Sequence, residues 1–457
     1  MASNMERLAE KVQAGRKGIR LLFIHQNFPS QYRHVATHYA ADEDNTVVVI
    51  GQSSNLRRSL HIPGAILMGY EVHMPPGERP NNPIAIYDEQ LRRGQAVAML
   101  MEHLRAQGFV PDVICVHPHW GEGLYLDLVY PGVPVLAYGE YYNHLQDPLF
   151  DFDPLYPATP EMRSQALIGN TANAVTLATA THVQTPTHFQ FGRLPLSVQC
   201  RTSVMHEGID TQWFQPPDNP TVTLLPTDQG HFDDFSPLPD YFPRRLTPLT
   251  LTREDKVVTY VSRTLEPLRG WVSFIRAVPL IQAAHPDAHI VVVGRTGEGY
   301  GPPPPDGKSW RDLLLDELHD KLDLTHLHFP GTLPYESLRG LYAVSGAHVY
   351  LTYPYVVSHS AVEAMSMGAP LVFSDTAPVR EIAGEDEETA IFVDFHSPSA
   401  ISDAVNLLLN DPDLQVRLGK AARRRAVEAY DMQRICLPKW IALIEALARG
   451  ESRASFR

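Results

Sequence analysis

The chain has 457 residues, 44% of them hydrophobic and 20% charged, with a formal net charge of −14 at pH 7. That length exceeds one ordinary core and fits two domains of about 200 residues each, and the mixture is that of a folded chain. The acidic balance argues against sequence-independent nucleic-acid binding, which rests on clustered cations that release counterions from phosphate; the run Arg423-Arg424-Arg425 lies in a helical pattern and reads as a solvated face.

Residues 1–18 form an N-terminal extension that carries charge and lacks the apolar centre of a secretory signal. No apolar run reaches membrane-spanning length. Cys115, Cys200 and Cys436 are far apart, show no metal-ligand spacing and read as thiols of a reducing compartment. The expected location is the cytoplasm.

Residues 19–214 alternate between strand and helix patterns. Ile19 to Ile24 is an apolar strand ending in the polar His25-Gln26-Asn27, followed by the turn Phe28-Pro29-Ser30 and a helical stretch from Gln31 to Ala41. Thr46 to Gly51 reads as a strand, Ala96 to Gly108 as a helix, and Asp112 to Val116 and Val133 to Tyr138 as further strands. Such alternation describes a parallel sheet covered by helices. Residues 215–250 are rich in Pro, Asp and Thr, have little periodicity, and read as a linker with a surface insertion.

A second alternating unit occupies 251–435. Its strands are expected at Val257 to Val261, His289 to Val293, Leu327 to Phe329, up to Thr352, and Pro370 to Phe373; its helices at Gly270 to Ala284, Trp310 to Leu322 and Ala361 to Gly368. Asp411 to Leu447 is helical in pattern. The fold class is α/β, with two doubly wound sheets.

In such sheets nucleotides bind in the crevice at the carboxyl ends of the strands. Glu363 stands there at a helix start, where a carboxylate can accept from two ribose hydroxyls or simply complement the helix dipole. The amides around Ser358 and His359 suit a phosphate. Arg263 and Arg269 flank the loop after the first strand of this unit; two cations there suit a leaving diphosphate, or are surface arginines beside a helix. Gly294 and Arg295 open a glycine-rich loop near the crevice mouth, running to Gly301. In the first domain, His117, His119 and Glu122 follow a strand, and Gln26 and Asn27 follow another. His117 and His119 at i, i+2 lack a third ligand by spacing, so no metal site is read.

The stretch from Ser345 to Glu381 resembles the donor-nucleotide signature of retaining glycosyltransferases of family 4 (glycosyl transferases group 1), which have the GT-B fold. The resemblance implies two Rossmann-like doubly wound domains facing across a cleft, with the acceptor mainly on the N-terminal one. Residues 436–457 would form a last helix crossing back onto that domain. It implies that Glu363 holds the ribose, Arg263 and Arg269 the diphosphate, and His117 the transferred sugar. Ser358, His359, Gly294 and Arg295 would line the donor site, and Thr332 and Leu333 would hold the base through main-chain groups. Gln26, Asn27, His119, Glu122 and Glu381 would lie at the acceptor or behind these groups.

Three features depart from the family pattern. Tyr355 stands where the first Glu of the E-x7-E pattern is expected, Glu207 replaces Asn in the segment Glu207-Gly208-Ile209-Asp210 that closes the first domain, and the loop at 25–31 lacks glycine. Asp151-Phe152-Asp153 has the form of a metal-diphosphate motif of another fold, and reads here as a surface turn. The expected activity is metal-independent, cofactor-free transfer of a sugar, with retention, from a nucleotide-diphosphate donor to a sugar, lipid-linked or other hydroxyl acceptor. It would serve glycan, polysaccharide or glycoconjugate synthesis, with room for peripheral contact at the inner membrane face. The rivals are a catalytically silent nucleotide-sugar-binding protein and a sugar-nucleotide epimerase on the same fold.

Overall fold

The computed structural model describes residues 2–451 except 16, 59–60, 75–81, 145, 227–236, 298, 302–303, 305–306 and 385–387. The chain divides into two compact units, one of 1–150, 157–208 and 432–457, the other of 151–156 and 209–431.

The first unit is built on a parallel sheet. Its strands are β1 (Arg20–Ile24), β2 (Thr46–Gln52), β3 (Ile66–Tyr70), β4 (Val113–Val116), β5 (Val135–Tyr138), β6 (His182–Thr185) and β7 (Thr202–Val204), in the order β3-β2-β1-β4-β5-β6-β7. Helices cover both faces, so the central strands are apolar throughout rather than alternating. Leu22, Val48 and Ile114 face one side with Val97, Met101 and Leu177 of the helices Pro83–Ala106 and Pro160–Thr179. Leu21, Val47 and Val113 face the other, with Val35 of the helix Arg33–Ala40 and with Trp440 and Leu443 of Leu437–Ala448. The N-terminal helix Ala2–Gln13 buries Leu8 in the first of these layers. The helix expected from Ala96 begins at Pro83 instead, because the Asn82 side chain caps it by accepting from the Ile84 amide and Pro83 needs no partner at its first position. β3, β6 and β7 were not read from the sequence: Gly69 interrupts the apolar run of β3, and β6 (His-Val-Gln-Thr) and β7 (Thr-Ser-Val) are mostly polar.

The second unit has strands β8 (Thr221–Leu224), β9 (Leu249–Thr252), β10 (Val257–Thr264), β11 (His289–Arg295), β12 (Leu327–Gly331), β13 (Ala347–Tyr350), β14 (Leu371–Ser374) and β15 (Ile391–Val393). The parallel sheet runs β12-β11-β10-β13-β14-β15. β8 and β9 pair antiparallel, which corrects the reading of 215–250 as linker and surface insertion alone. The Thr-Val-Thr-Leu alternation of β8 buries Val222 and Leu224 beside Leu251 in the unit's core. In both parallel sheets the strand order reverses once near the middle, between β1 and β4 and between β10 and β13, and the crevice for ligands lies at such a point.

Residues 151–156 belong to the second unit, and the surface-turn reading of Asp151-Phe152-Asp153 is corrected accordingly. Asp153 is buried, and its Oδ2 accepts a 2.8 Å hydrogen bond from the Tyr353 hydroxyl. The Phe152 ring lies 5.0 Å from that of Tyr353 and 5.2 Å from that of Phe395, and Tyr156 meets Trp310 edge-on at 5.2 Å. The aromatic contacts explain why an acidic loop docks at all: Phe152 supplies the apolar area and Tyr353 satisfies the carboxylate. Asp153→Ala therefore leaves a buried tyrosine hydroxyl without its acceptor, and the expected loss is about 1–3 kcal/mol. A urea titration reads it as a lowered midpoint; an unchanged midpoint would mean that this segment is not docked in solution. Among the described residues no helix is long and apolar enough to cross a membrane.

Candidate active site

In the second unit Arg263, Arg269, Gly294, Arg295, Ser358, His359 and Glu363 lie at or just beyond the carboxyl ends of β10, β11 and β13, whereas Thr332, Leu333 and Glu381 do not. Arg263 is the last residue but one of β10 and is exposed; its Nη1 donates to the Tyr300 hydroxyl at 3.0 Å and its guanidinium sits 5.7 Å from that ring. The Tyr300 ring is in turn 6.3 Å from Tyr355. The Tyr300 loop is fastened from below, where the Gly301 amide donates to Glu266 Oε2 at 2.6 Å. Burial pushes the Glu266 carboxyl up, against the pull of that amide and of Arg269.

Arg269 closes the short turn Pro267–Arg269. Its Nη1 donates to Thr352 Oγ1 at 3.1 Å and to the Val356 carbonyl at 2.9 Å, and its own carbonyl accepts from the Tyr260 hydroxyl at 2.7 Å. One side chain thus joins the loop after β10 to the loop after β13, across the point where the sheet order reverses. Ser358 caps the helix His359–Ser366, its side chain accepting from the Ser360 amide while its own amide donates to the Tyr350 hydroxyl at 2.7 Å. His359 opens that helix and is exposed; Glu363, one turn on, is only 7% exposed. Gly294 is the last residue but one of β11, where a Cβ would come within 2.9 Å of Leu265 and the Ser262 carbonyl, so the backbone approaches too closely for a side chain. Arg295 beside it is exposed, and its carbonyl accepts from the Leu265 amide.

Thr332 and Leu333 follow the edge strand β12. Leu333 lines a cavity of about 350 Å³ with Phe242, Arg245, His328 and Phe329, none of them on the Arg269 loop. Glu381 lies in the helix Ala377–Ala383, and its carbonyl accepts from Arg425 at 3.2 Å, a contact that belongs to helix packing.

In the first unit three adjacent strand ends bring together a compact polar cluster. His25 follows β1, His117 follows β4, and Glu140 lies two residues beyond β5. His117 is 0% exposed, with its ring between Trp120 (centroids 4.5 Å apart, 19° between planes) and Tyr138 (5.3 Å, 22°). Its Nε2 lies 3.3 Å from Glu140 Oε2. Gln31 bridges the cluster: its Nε2 donates to Glu140 Oε1 at 3.1 Å, and its Oε1 is 2.9 Å from His25 Nε2. His119 stands edge-on to Trp120, at 5.7 Å.

The other first-unit candidates lie in a neighbouring network. Gln26 Oε1 and the Tyr70 hydroxyl each accept from the buried Arg93, and Tyr70 donates to the fully buried Glu122 at 2.8 Å. Burial pushes the Glu122 carboxyl up. Asn27 ties down its loop, its amide donating to His25 Nδ1 and its Oδ1 accepting from Asn55. These residues hold the loop after β1 in shape.

The sequence reading assigned no role to Gln31, Glu140 or Tyr300. The available signal for Glu140 was positional: a carboxylate just past the end of a parallel strand, on the edge where His117 also falls.

Burial, with His117 next, pushes the His25 imidazole down to about 3. At Glu140 burial favours the neutral acid, but His117, then His119 and His25, outweigh it and hold the carboxyl at about 2. Both groups bind fewer protons folded than unfolded on the acid side. The stability contributed by His25 is present above its unfolded value of 6.5 and is lost as pH falls toward about 3; that of Glu140 is present above 4.5 and is lost as pH falls toward about 2. The urea midpoint should therefore drop with acidification from pH 6.5 downward, and less steeply in His25→Gln. Equal slopes between pH 6.5 and 4 in the two proteins would refute this account of His25.

Two family models match the chain. The Glycosyl transferase family 4 group matches residues 43–214, and Glycosyl transferases group 1 matches 248–425. The D-inositol 3-phosphate glycosyltransferase of Corynebacterium jeikeium is 29% identical over 177 residues, covering 38% of this chain and 40% of that protein. The alignment thus spans about two fifths of that relative's length. Among solved structures, the sucrose-phosphate synthase (tll1590) of Thermosynechococcus elongatus superposes with a TM-score of 0.66 at 16% identity, covering 94% of this chain and all of that one. Anabaena Alr3699/HepE in complex with UDP and glucose superposes at 0.60 with 15% identity, covering 94% and 100%. These likenesses define the fold class, α/β with two Rossmann-like parallel sheets of the GT-B type. The chain belongs to the family-4 type of glycosyltransferases.

Proposed function

We propose that this protein transfers a sugar from a nucleotide-diphosphate donor to a hydroxyl acceptor, with retention at the anomeric carbon. The observation that carries the reading is Arg269, bonded to Thr352 and Val356 at the strand-order reversal of the second unit, with Glu363 one turn into the helix that follows that loop. A guanidinium fixed there faces the charge that grows on a diphosphate as its bond to the sugar breaks. Glu363 would accept from the ribose hydroxyls. On this reading the leaving phosphate helps deprotonate the acceptor hydroxyl on the same face of the sugar, which preserves configuration. The arginines supply the countercharge without a divalent ion, so EDTA should leave turnover unchanged. The UDP and glucose bound by the HepE neighbour support a donor of the nucleotide-sugar class. Peripheral contact with a membrane would follow from a lipid-linked acceptor.

The test is a thermal-shift and hydrolysis screen over UDP-, GDP-, ADP- and dTDP-sugars with wild type and Glu363→Ala. Selective binding of one donor stabilises the native state by an amount that grows with ligand excess over its Kd. A shift with slow hydrolysis, both lost in the variant, supports the transferase. A shift without turnover or transfer to any acceptor favours a silent nucleotide-sugar-binding protein, and no shift with any donor sinks the reading.

A further inference from the structure

The cluster at the ends of β1, β4 and β5 changes which side chain of the first unit can meet a ligand. His117 is 0% exposed, enclosed by Trp120 and Tyr138, so the surface of this cluster is offered by something else. Glu140 keeps 22% of its side chain exposed. Its Oε1 accepts from Gln31 and its Oε2 lies 3.3 Å from His117 Nε2. An ionised carboxylate has about four lone-pair sites, so these two partners leave acceptor capacity on both oxygens.

We propose that Glu140 receives a hydroxyl of the acceptor substrate in the first unit, with Gln31 and His117 positioning its carboxylate. This rests on the transferase reading for the word acceptor, but the site itself is defined by its chemistry. A carboxylate braced from two adjacent strands and open on a third side is a receptor for the hydroxyls of a sugar or polyol, which donate to it. The groups facing Glu140 are His117, His119, His25 and Gln31, and the contact with His117 does most to favour its ionised form. A group so held is a poor proton acceptor and a constant hydrogen-bond acceptor. It orients the incoming hydroxyl.

The experiment uses the full chain with methyl α-D-mannopyranoside, myo-inositol and glycerol as probes, read by saturation-transfer NMR. The expected result is that at least one probe binds wild type and that Glu140→Gln, which keeps the shape and removes the charge, weakens it about tenfold or more. Gln31→Ala, which leaves Glu140 present and less firmly held, weakens it a few-fold. Melting temperatures check that both variants remain folded, and the donor-induced thermal shift should be unchanged in both. Binding of no probe by wild type overturns the proposal. So does full retention of binding in Glu140→Gln, or an equal loss of donor-induced shift and probe binding, which would mark a structural role. If no donor binds yet probe binding depends on Glu140, the transferase reading fails and this site stands.

Discussion

Arg269→Ala lowers the rate of donor turnover by about 10²–10³-fold, the usual cost of losing one aimed donor to a developing anion. Its Nη1 is anchored on Thr352 Oγ1 and the Val356 carbonyl, so the guanidinium is held in one place before any ligand arrives. Such preorganisation is what makes a cation worth more in the transition state than in the ground state. The loss should therefore appear in kcat more than in KM, measured by donor hydrolysis or by transfer. Arg269→Lys keeps the charge but lacks the second guanidinium nitrogen, which Thr352 and Val356 leave for a phosphate oxygen while Nη1 is anchored, so it should recover only part of the rate. A melting temperature that falls steeply in Arg269→Ala would assign the effect to collapse of the two loops. A rate within about threefold of wild type would remove Arg269 from the mechanism.

The next residue carries the second large effect. Gly270 has φ +74°, and a Cβ on it would lie 2.3 Å from Leu351 Cβ and 3.0 Å from the Phe395 ring. Alanine there meets two costs: the left-handed backbone, about 1–2 kcal/mol, and overpacking, about 1–3 kcal/mol. Gly270→Ala should lose about 2–5 kcal/mol in urea or thermal unfolding. Gly132→Ala is the control, because Gly132 has φ +76° with nothing within 4 Å of the added atom, and so meets the backbone cost alone. Equal losses in the two variants would show that the Leu351 contact relaxes freely. Gly270 lets the chain turn from Arg269 directly into the helix Trp271–Ala284, which keeps that arginine within reach of Thr352.

Much of this was legible along the chain. The central strands β1, β2, β4, β10 and β11 announce themselves as apolar runs, because a strand covered on both faces has no polar side. The loops after them were found for the same reason: polar residues directly following such runs, as at His25, His117 and Arg263. The helix from Pro83 was half seen, since its cap at Asn82 lies well before its periodic apolar residues. β8 was missed inside a Pro-rich stretch, where four alternating residues are too few to stand out.

The sequence by itself determined the class of fold, the strand ends from which side chains project, and the family. Those properties depend on short-range patterns: apolar runs, caps, and glycine or proline at turns. Only the tertiary structure decided which of those side chains meet. Gln31 and Glu140 are 109 residues apart and touch because β1, β4 and β5 are neighbours in the sheet. Asp153 and Tyr353 are 200 residues apart and touch because the segment 151–156 packs into the second unit. Residue type and spacing carry no record of such pairings, because strand order is chosen by the packing of whole helices and sheets. His117 shows the consequence: the pattern around it marks a site, and its burial behind Trp120 and Tyr138 hands the exposed position to Glu140.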